Sequence, residues 1–196
     1  MRTKRITYYM AKIYGFGNAL IDVEISITEE ELTSLNIKKG SMVHINSDQK
    51  STWIEEFNKH IVSRQPGGSV ANCLYAASCR DSICAFSCSL GNDEESRIFV
   101  DGFRSTGTQV FHQYSKKPTG VCFIFVTPDG ERTMASNLSA NEDLLPKCLN
   151  EQELATSDWL VFDAFSVCTM NGLKTAQEAL KIAKKNNLKI AFGLAD

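Results

Sequence analysis

The 196-residue sequence contains no G-x-x-x-x-G-K-[ST] loop, which excludes the P-loop mode of nucleotide binding. It has no C-x-x-C pair, and its seven cysteines (Cys73, Cys79, Cys84, Cys88, Cys122, Cys148 and Cys168) are odd in number. Both facts argue against a zinc ribbon or a disulfide framework. Cys84 and Cys88 are spaced to share one face of a strand as buried hydrophobes. Reduced thiols of this kind imply a cytoplasmic protein. An excess of one charge is missing as well: 21 Lys and Arg stand against 23 Asp and Glu, a net charge of −2. That balance gives no drive toward nucleic acid or an anionic membrane. No apolar run approaches the ~20 residues of a membrane span. Internal repeats, low-complexity tracts and long linkers are absent too, so the chain reads as one domain.

What is present is ordinary for a soluble globular chain: 43% hydrophobic and 22% charged residues. A chain of this size buries roughly 70% of its unfolded surface. The first ten residues are basic but carry neither an apolar core nor a small-residue cleavage site. They read as a tail over residues 1–10 and not as a signal peptide, with Met10 as the expected start and the domain over residues 11–196.

The most informative stretch is Gly67-Gly68-Ser69-Val70-Ala71-Asn72. Pro66 breaks what precedes it, and Ser69 is the expected N-cap of a helix over Val70 to Cys79. A glycine pair opening a helix presents free N–H groups and a positive dipole end to a polar ligand. Asn72, one turn in, reaches the same spot. By itself such a turn is also a common tight connection, so its neighbours along the chain decide its meaning.

Lys12 to Leu20 reads as a buried strand, with Asn18 and Asp22 following at its carboxyl end, where open α/β sheets place ligand groups. Ile21, Val23, Ile25 and Ile27 alternate with Asp22, Glu24 and Ser26, the period of a strand with one wet face. Thr28 to Glu31 is a capping box for a short helix through Leu35. A strand over Ser41 to Asn46 and an amphipathic helix over Asp48 to Val62 follow, the latter with Trp53, Ile54, Phe57 and Ile61 inward. His44 and His60, with no third ligand in sight, read as structural or surface histidines. Ser82 to Leu90 and Thr108 to Gln113 are further strands, flanking a helix over Glu94 to Thr106. Val121 to Thr127 and Glu131 to Ser136 form a hairpin about Pro128-Asp129-Gly130. After a polar helical stretch from Asn141, a strand over Asp158 to Phe162, a helix over Met170 to Asn186 and an apolar strand over Leu188 to Leu194 complete the pattern. Alternating strands and helices imply a mostly parallel sheet covered on both faces. The half-wet strands near Val23, Val43 and Val121 do not fit that layer and imply a small second sheet, a lid.

Taken together, Gly17-Asn18-Ala19-Leu20-Ile21-Asp22, Gly67 to Asn72, Gly91-Asn92-Asp93-Glu94, and Pro118-Thr119-Gly120 with Gly130-Glu131-Arg132-Thr133 resemble the ribokinase/PfkB family, most closely its adenosine-kinase-like bacterial branch. The resemblance implies an incomplete three-layer α/β/α ribokinase-like fold with a small β-sheet lid. It also implies phosphoryl transfer from ATP, with Mg2+, to a hydroxyl of a nucleoside or sugar. By the family pattern Asp22 accepts hydrogen bonds from sugar hydroxyls, and Gly67, Gly68, Ser69 and Asn72 complete that grip. Asn18 and Leu20 line the same pocket, and Arg132 neutralises the transferring phosphate. The chemistry agrees, because a carboxylate and an amide bind a vicinal diol well and a guanidinium suits spread negative charge. No metal ligand is expected from the chain itself. A homodimer through the lid is the partner that some members add.

Two departures stand out. Ser96 occupies a position where the family usually has glycine, which alters a helix contact and not the reaction. The family's Gly-Ala-Gly-Asp type motif, carrying the catalytic base and the anion hole, does not occur in these residues. The expectation is therefore the N-terminal, substrate-binding part of a C-terminally truncated kinase, inactive alone. A non-catalytic nucleoside- or sugar-binding protein, or an inactive remnant, is the alternative.

Overall fold

The computed structural model describes residues 10–194, so the expected tail lies outside it apart from Met10. The chain runs β1 (Lys12–Phe16), β2 (Leu20–Ser26), α1 (Glu29–Ser34), β3 (Met42–His44), α2 (Ser47–Glu56), β4 (Ile61–Gly67), α3 (Ser69–Ser78) and β5 (Ile83–Leu90). It continues through α4 (Glu94–Arg104), β6 (Gln109–Tyr114), β7 (Gly120–Val126), β8 (Arg132–Asn137), α5 (Glu151–Ala155), β9 (Trp159–Asp163), α6 (Met170–Lys185) and β10 (Lys189–Gly193). Short 3-10 turns fill the polar stretch before α5 and follow β9.

The main sheet has the order β10-β9-β1-β5-β6 and is parallel throughout. Alternation along its strands sends successive side chains to two different cores. Ile13, Cys84, Phe86, Cys88 and Leu90 pack with Val70, Leu74, Phe99 and Phe103 from α3 and α4. Tyr14, Phe16 and Ala85 pack on the opposite side with Leu154 of α5 and Ala176, Ala179 and Ala183 of α6. The small residues of α6 allow that helix to approach the sheet closely. The result is the expected three layers, helix on sheet on helix.

The half-wet strands do assemble into one second sheet, ordered β3-β8-β7-β2-β4. Three expectations about it need correction. It is not small, since its five strands equal the main sheet. Its β4 falls where the helix of Asp48 to Val62 was expected to end; α2 stops at Glu56, and Ile61–Gly67 extends as a strand despite Pro66. That proline is tolerated because β4 is an edge strand, where a missing N–H breaks no ladder on its free side. Nor does the sheet stand off as a detached lid. Ile21, Val23, Ile25, Phe123, Phe125 and Ala135 on one face join Trp53, Phe57, Phe86 and Phe99 in a single core. β7 is therefore buried along both faces up to Val126, its other face carrying Cys122 and Ile124 toward Leu20 and Met134.

Two other boundaries differ from expectation. Lys12 to Leu20 is not one strand: β1 ends at Phe16, and the chain changes sheets before β2, so Asp22 belongs to the second sheet. The last strand is apolar as expected, but Ile190 and Phe192 are exposed on it.

The two sheets are tied together by a polar junction at the start of α4. Asp93 caps that helix by accepting from the Ser96 amide at 3.0 Å, and it also accepts from the Thr119 amide and hydroxyl, both at 2.7 Å. Ser96, where the family usually has glycine, completes a capping box with Asp93. Lys50 of α2, only 8% exposed, donates to the Thr119 carbonyl at 2.9 Å. Burial lowers the Lys50 pKa, opposed by Glu95 and Asp93. At Asp93 burial pushes upward, but the Thr119 and Ser96 hydrogen bonds and Lys50 outweigh it, and its carboxyl lies below the usual range.

Candidate functional site

Between the two sheets lies a cleft of about 310 Å³. Three elements build it: the C-terminal ends of β1 and β9, the N-terminus of α3, and the outward face of the second sheet. Of the residues singled out from sequence, Asn18, Leu20, Asp22, Gly68, Ser69, Asn72 and Arg132 all line it. Asp22 and Asn72, the pair expected to face one cleft, do so.

Gly67 is the exception, and its place explains its identity. It pairs with Leu20 across β2 and β4, and a Cβ at Gly67 would overlap the Asp22 carboxylate. Its lack of a side chain is what lets that carboxylate lie against the backbone. Gly68 has φ 107°, a left-handed conformation, and a Cβ there would overlap the Asn18 carbonyl oxygen. Gly68, not Ser69, is the N-cap of α3, and no side chain caps that end. Its carbonyl accepts from the Asn72 amide at 2.8 Å, the first intrahelical bond, while the earlier N–H groups remain for a ligand.

The loop carrying Asn18 is held by contacts that sequence reading missed. The Asn141 side chain accepts from the Ala19 amide at 2.7 Å and donates to the Ala19 carbonyl at 3.0 Å. Asn18 itself donates to the Phe165 carbonyl at 3.4 Å.

Asp22 is partly buried, and burial pushes its carboxyl up to about 6, against the pull of Arg132. Arg132 opens β8 and is solvent-exposed, so it tempers the carboxylate without forming an ion pair with it. Asp22 is in register with Cys122 of β7, whose thiol is pushed up to about 12, chiefly by burial and then by the Asp22 charge. Such a thiol is an inert wall.

The remaining lining is Met42, His44, Ile124, Met134, Ser136, Leu138, Asp163 and Phe165, none of them anticipated. Part of this was recoverable by parity: Arg132, Met134 and Ser136 alternate along β8, and Cys122 and Ile124 along β7. His44, an ordinary histidine by its sequence context, has its Nδ1 3.0 Å from the Ser136 hydroxyl on the cleft wall. Asp163 and Phe165 stand at the carboxyl end of a parallel strand, where ligand groups are common. The cleft thus joins an apolar surface to a polar rim of opposite charges. Among the described residues no group of three or more His, Cys, Asp or Glu is placed to hold a metal ion. None of their helices is long and apolar enough to cross a membrane.

Comparison with known proteins adds four findings. Adenosine kinase 2 of Arabidopsis thaliana is 26% identical over 136 residues, covering 67% of this chain and 39% of the relative. Guanosine-inosine kinase of Escherichia coli K12 is 23% identical over 196 residues, covering 94% of this chain and 45% of the relative. The chain therefore spans less than half the length of these curated relatives. The crystal structure of adenosine kinase from Sinorhizobium meliloti superposes with a TM-score of 0.85 at 24% identity, covering 96% of this chain and 57% of that one. This likeness establishes the fold. A family model described as pfkB family carbohydrate kinase matches residues 35–192. With that match running from the end of α1 into β10, the chain belongs to the pfkB family of carbohydrate kinases.

Proposed function

We propose that the chain forms the acceptor-binding half of an ATP-dependent nucleoside kinase of the adenosine-kinase-like branch. One observation carries this reading: Asp22, the uncapped N-terminus of α3 with Gly68 and Asn72, and Arg132 all converge on one cleft with apolar walls. A ribosyl compound has the matching parts. Its hydroxyls donate to Asp22 and exchange hydrogen bonds with Asn72 and the first N–H groups of α3, which Ser69 and Gly67 help to shape. Asn18 borders the sugar, and its base lies among Leu20, Ile124, Met134 and Phe165. Arg132 is the cation available to a phosphate arriving at the hydroxyl, where a spread charge on the donor group needs a planar, permanently charged partner.

The residues present fit the acceptor, and toward ATP with Mg2+ they offer Arg132 as a partner for phosphate. The 196-residue sequence does not contain the family's Gly-Ala-Gly-Asp type motif. These residues therefore supply acceptor binding and no base or anion hole for the transfer. The same observation favours a second reading, a binding protein that holds nucleosides without phosphorylating them. Pairing of two second sheets in a homodimer belongs to either reading, and sedimentation velocity at rising concentration checks it.

Isothermal titration calorimetry with adenosine, inosine, ribose and fructose tests the proposal. A nucleoside should bind more tightly than either free sugar, and Asp22→Asn should weaken it about 10-fold or more, the loss expected for hydrogen bonds to a charged group. Binding of no ribosyl compound, or equal binding by Asp22→Asn, would overturn it. A coupled ATP-consumption assay separates the two readings, since only the kinase gives turnover once the missing phosphate-binding motif is supplied by fusion to a relative's C-terminal half.

A further inference from the structure

Asp163 ends β9 at the main-sheet side of the cleft and is only 6% exposed. Neither the sugar nor the phosphate, as placed above, uses it. Its Oδ1 accepts from the Ser166 amide at 2.8 Å and from the Ser166 hydroxyl, which ties the end of β9 to the 3-10 turn Phe165–Val167. Both bonds fall on the same oxygen. Among the described residues no hydrogen bond or ion pair reaches Oδ2. Asp163 lines the cleft, so this second oxygen is an acceptor left open to a donor from a ligand seated there. The turn uses only Oδ1, so holding the turn accounts for half of the group.

The surroundings narrow what the donor belongs to. Phe165, two residues on, lines the same cleft, and Leu20 and Leu138 border it. Asn18 has its amide committed to the Phe165 carbonyl. A flat apolar group with an N–H on its edge fits beside these side chains better than a bare polyol does. We infer that Asp163 reads the nucleobase, accepting at Oδ2 a hydrogen bond from a ring or exocyclic N–H of a base placed against Phe165. The inference rests on the nucleoside reading above and extends it: Asp22 holds the sugar from the second sheet, while Asp163 selects the base from the main sheet.

Purine riboside provides the decisive probe, because its base carries no N–H, whereas adenosine, inosine and guanosine each carry at least one. Calorimetry on the full chain should find at least one of these three binding about 10- to 100-fold more tightly than purine riboside. In Asp163→Ala that advantage should vanish while purine riboside binding stays within about 2-fold. Asp163→Asn keeps an Oδ1 acceptor for the turn but turns a donor toward the cleft, so it folds even where the alanine variant does not. It should reverse the preference toward purine riboside. Ser166→Ala removes the hydroxyl bond to Oδ1 and should keep the wild-type ratio, which separates the turn from the reading of the base. An unchanged ratio in Asp163→Ala and Asp163→Asn, or a parallel fall for all four ribosides, would overturn the inference alone. Failure of the wild-type chain to bind any of the four would overturn the nucleoside reading and this one with it.

Discussion

Asp22 is where fold and function pull against each other. Its carboxyl is raised from 3.8 to about 6, mainly by burial. Well below pH 3.8 the group is protonated folded and unfolded, and its burial is harmless. As pH rises through 4 to 6 the unfolded chain loses the proton first, so stability falls across that window and stays lower above it. Asp22→Asn should therefore stabilise the chain at pH 7.5 by on the order of 1–3 kcal/mol, a gain that shrinks toward pH 4.5, as urea unfolding at both values would measure. Binding should run the other way. The charged carboxylate is the better acceptor for hydroxyls, so nucleoside affinity should rise with pH through about 6 and then level off. Arg132→Gln removes the tempering cation and should move that rise to higher pH. Gly67→Ala places a methyl group on the Asp22 carboxylate and should weaken nucleoside binding about 10-fold or more. Titration calorimetry across pH reads both effects. At this scale the sequence was partly legible. Asp22, Asn72 and Arg132 could be picked out by motif, but Asp163 and Ser136 could not, because their relevance comes from which strand end lies beside which.

Among the elements, the junction at Asp93 holds the second sheet to the main one. Asp93→Ala would leave the buried Thr119 donors without an acceptor and uncap α4, which should cost about 2–4 kcal/mol in urea unfolding. Lys50→Met, which takes the donor from the buried Thr119 carbonyl, should cost about 1–3 kcal/mol, less than Asp93→Ala. A larger loss for Lys50→Met than for Asp93→Ala would show that the junction is held from α2 instead. The helices were largely readable here, since the capping box at Thr28 and the apolar stripe of α4 are local signals, although the matching box at Asp93 went unread. β4 was not. Its residues, Ile61 to Gly67, carry a proline, and only pairing with β2 makes them a strand. The full burial of β7 was hidden for a related reason: alternation reports one wet face, whereas here that face, with Cys122 and Ile124, is itself a wall of the cleft.

The molecule as a whole is two five-stranded sheets sharing one core, with the cleft along their seam. One region of its surface is markedly apolar: Ile190, Phe192 and Leu194 are 41%, 45% and 81% exposed on and beside β10, an edge of the main sheet. An open edge with such side chains invites pairing. Phe192→Lys should lower self-association of the 196-residue chain in light scattering without altering nucleoside affinity; unchanged scattering would locate the association elsewhere. The order of elements along the chain foretold two sheets, but not that they merge into one core. That merging depends on Ile21, Val23 and Phe123 meeting Phe99 across a distance in sequence that no local pattern spans.

If the seam cleft seats a nucleoside with its sugar on Asp22, a crystal structure of the chain soaked with adenosine or guanosine will show it. Ribose hydroxyls should lie within hydrogen-bonding distance of the Asp22 carboxylate and of Asn72 or the Gly68 end of α3, with the base against Phe165. A nucleoside found instead in the neighbouring cavity lined by Asn46, Lys117 and Glu142, with Asp22 untouched, would refute that placement.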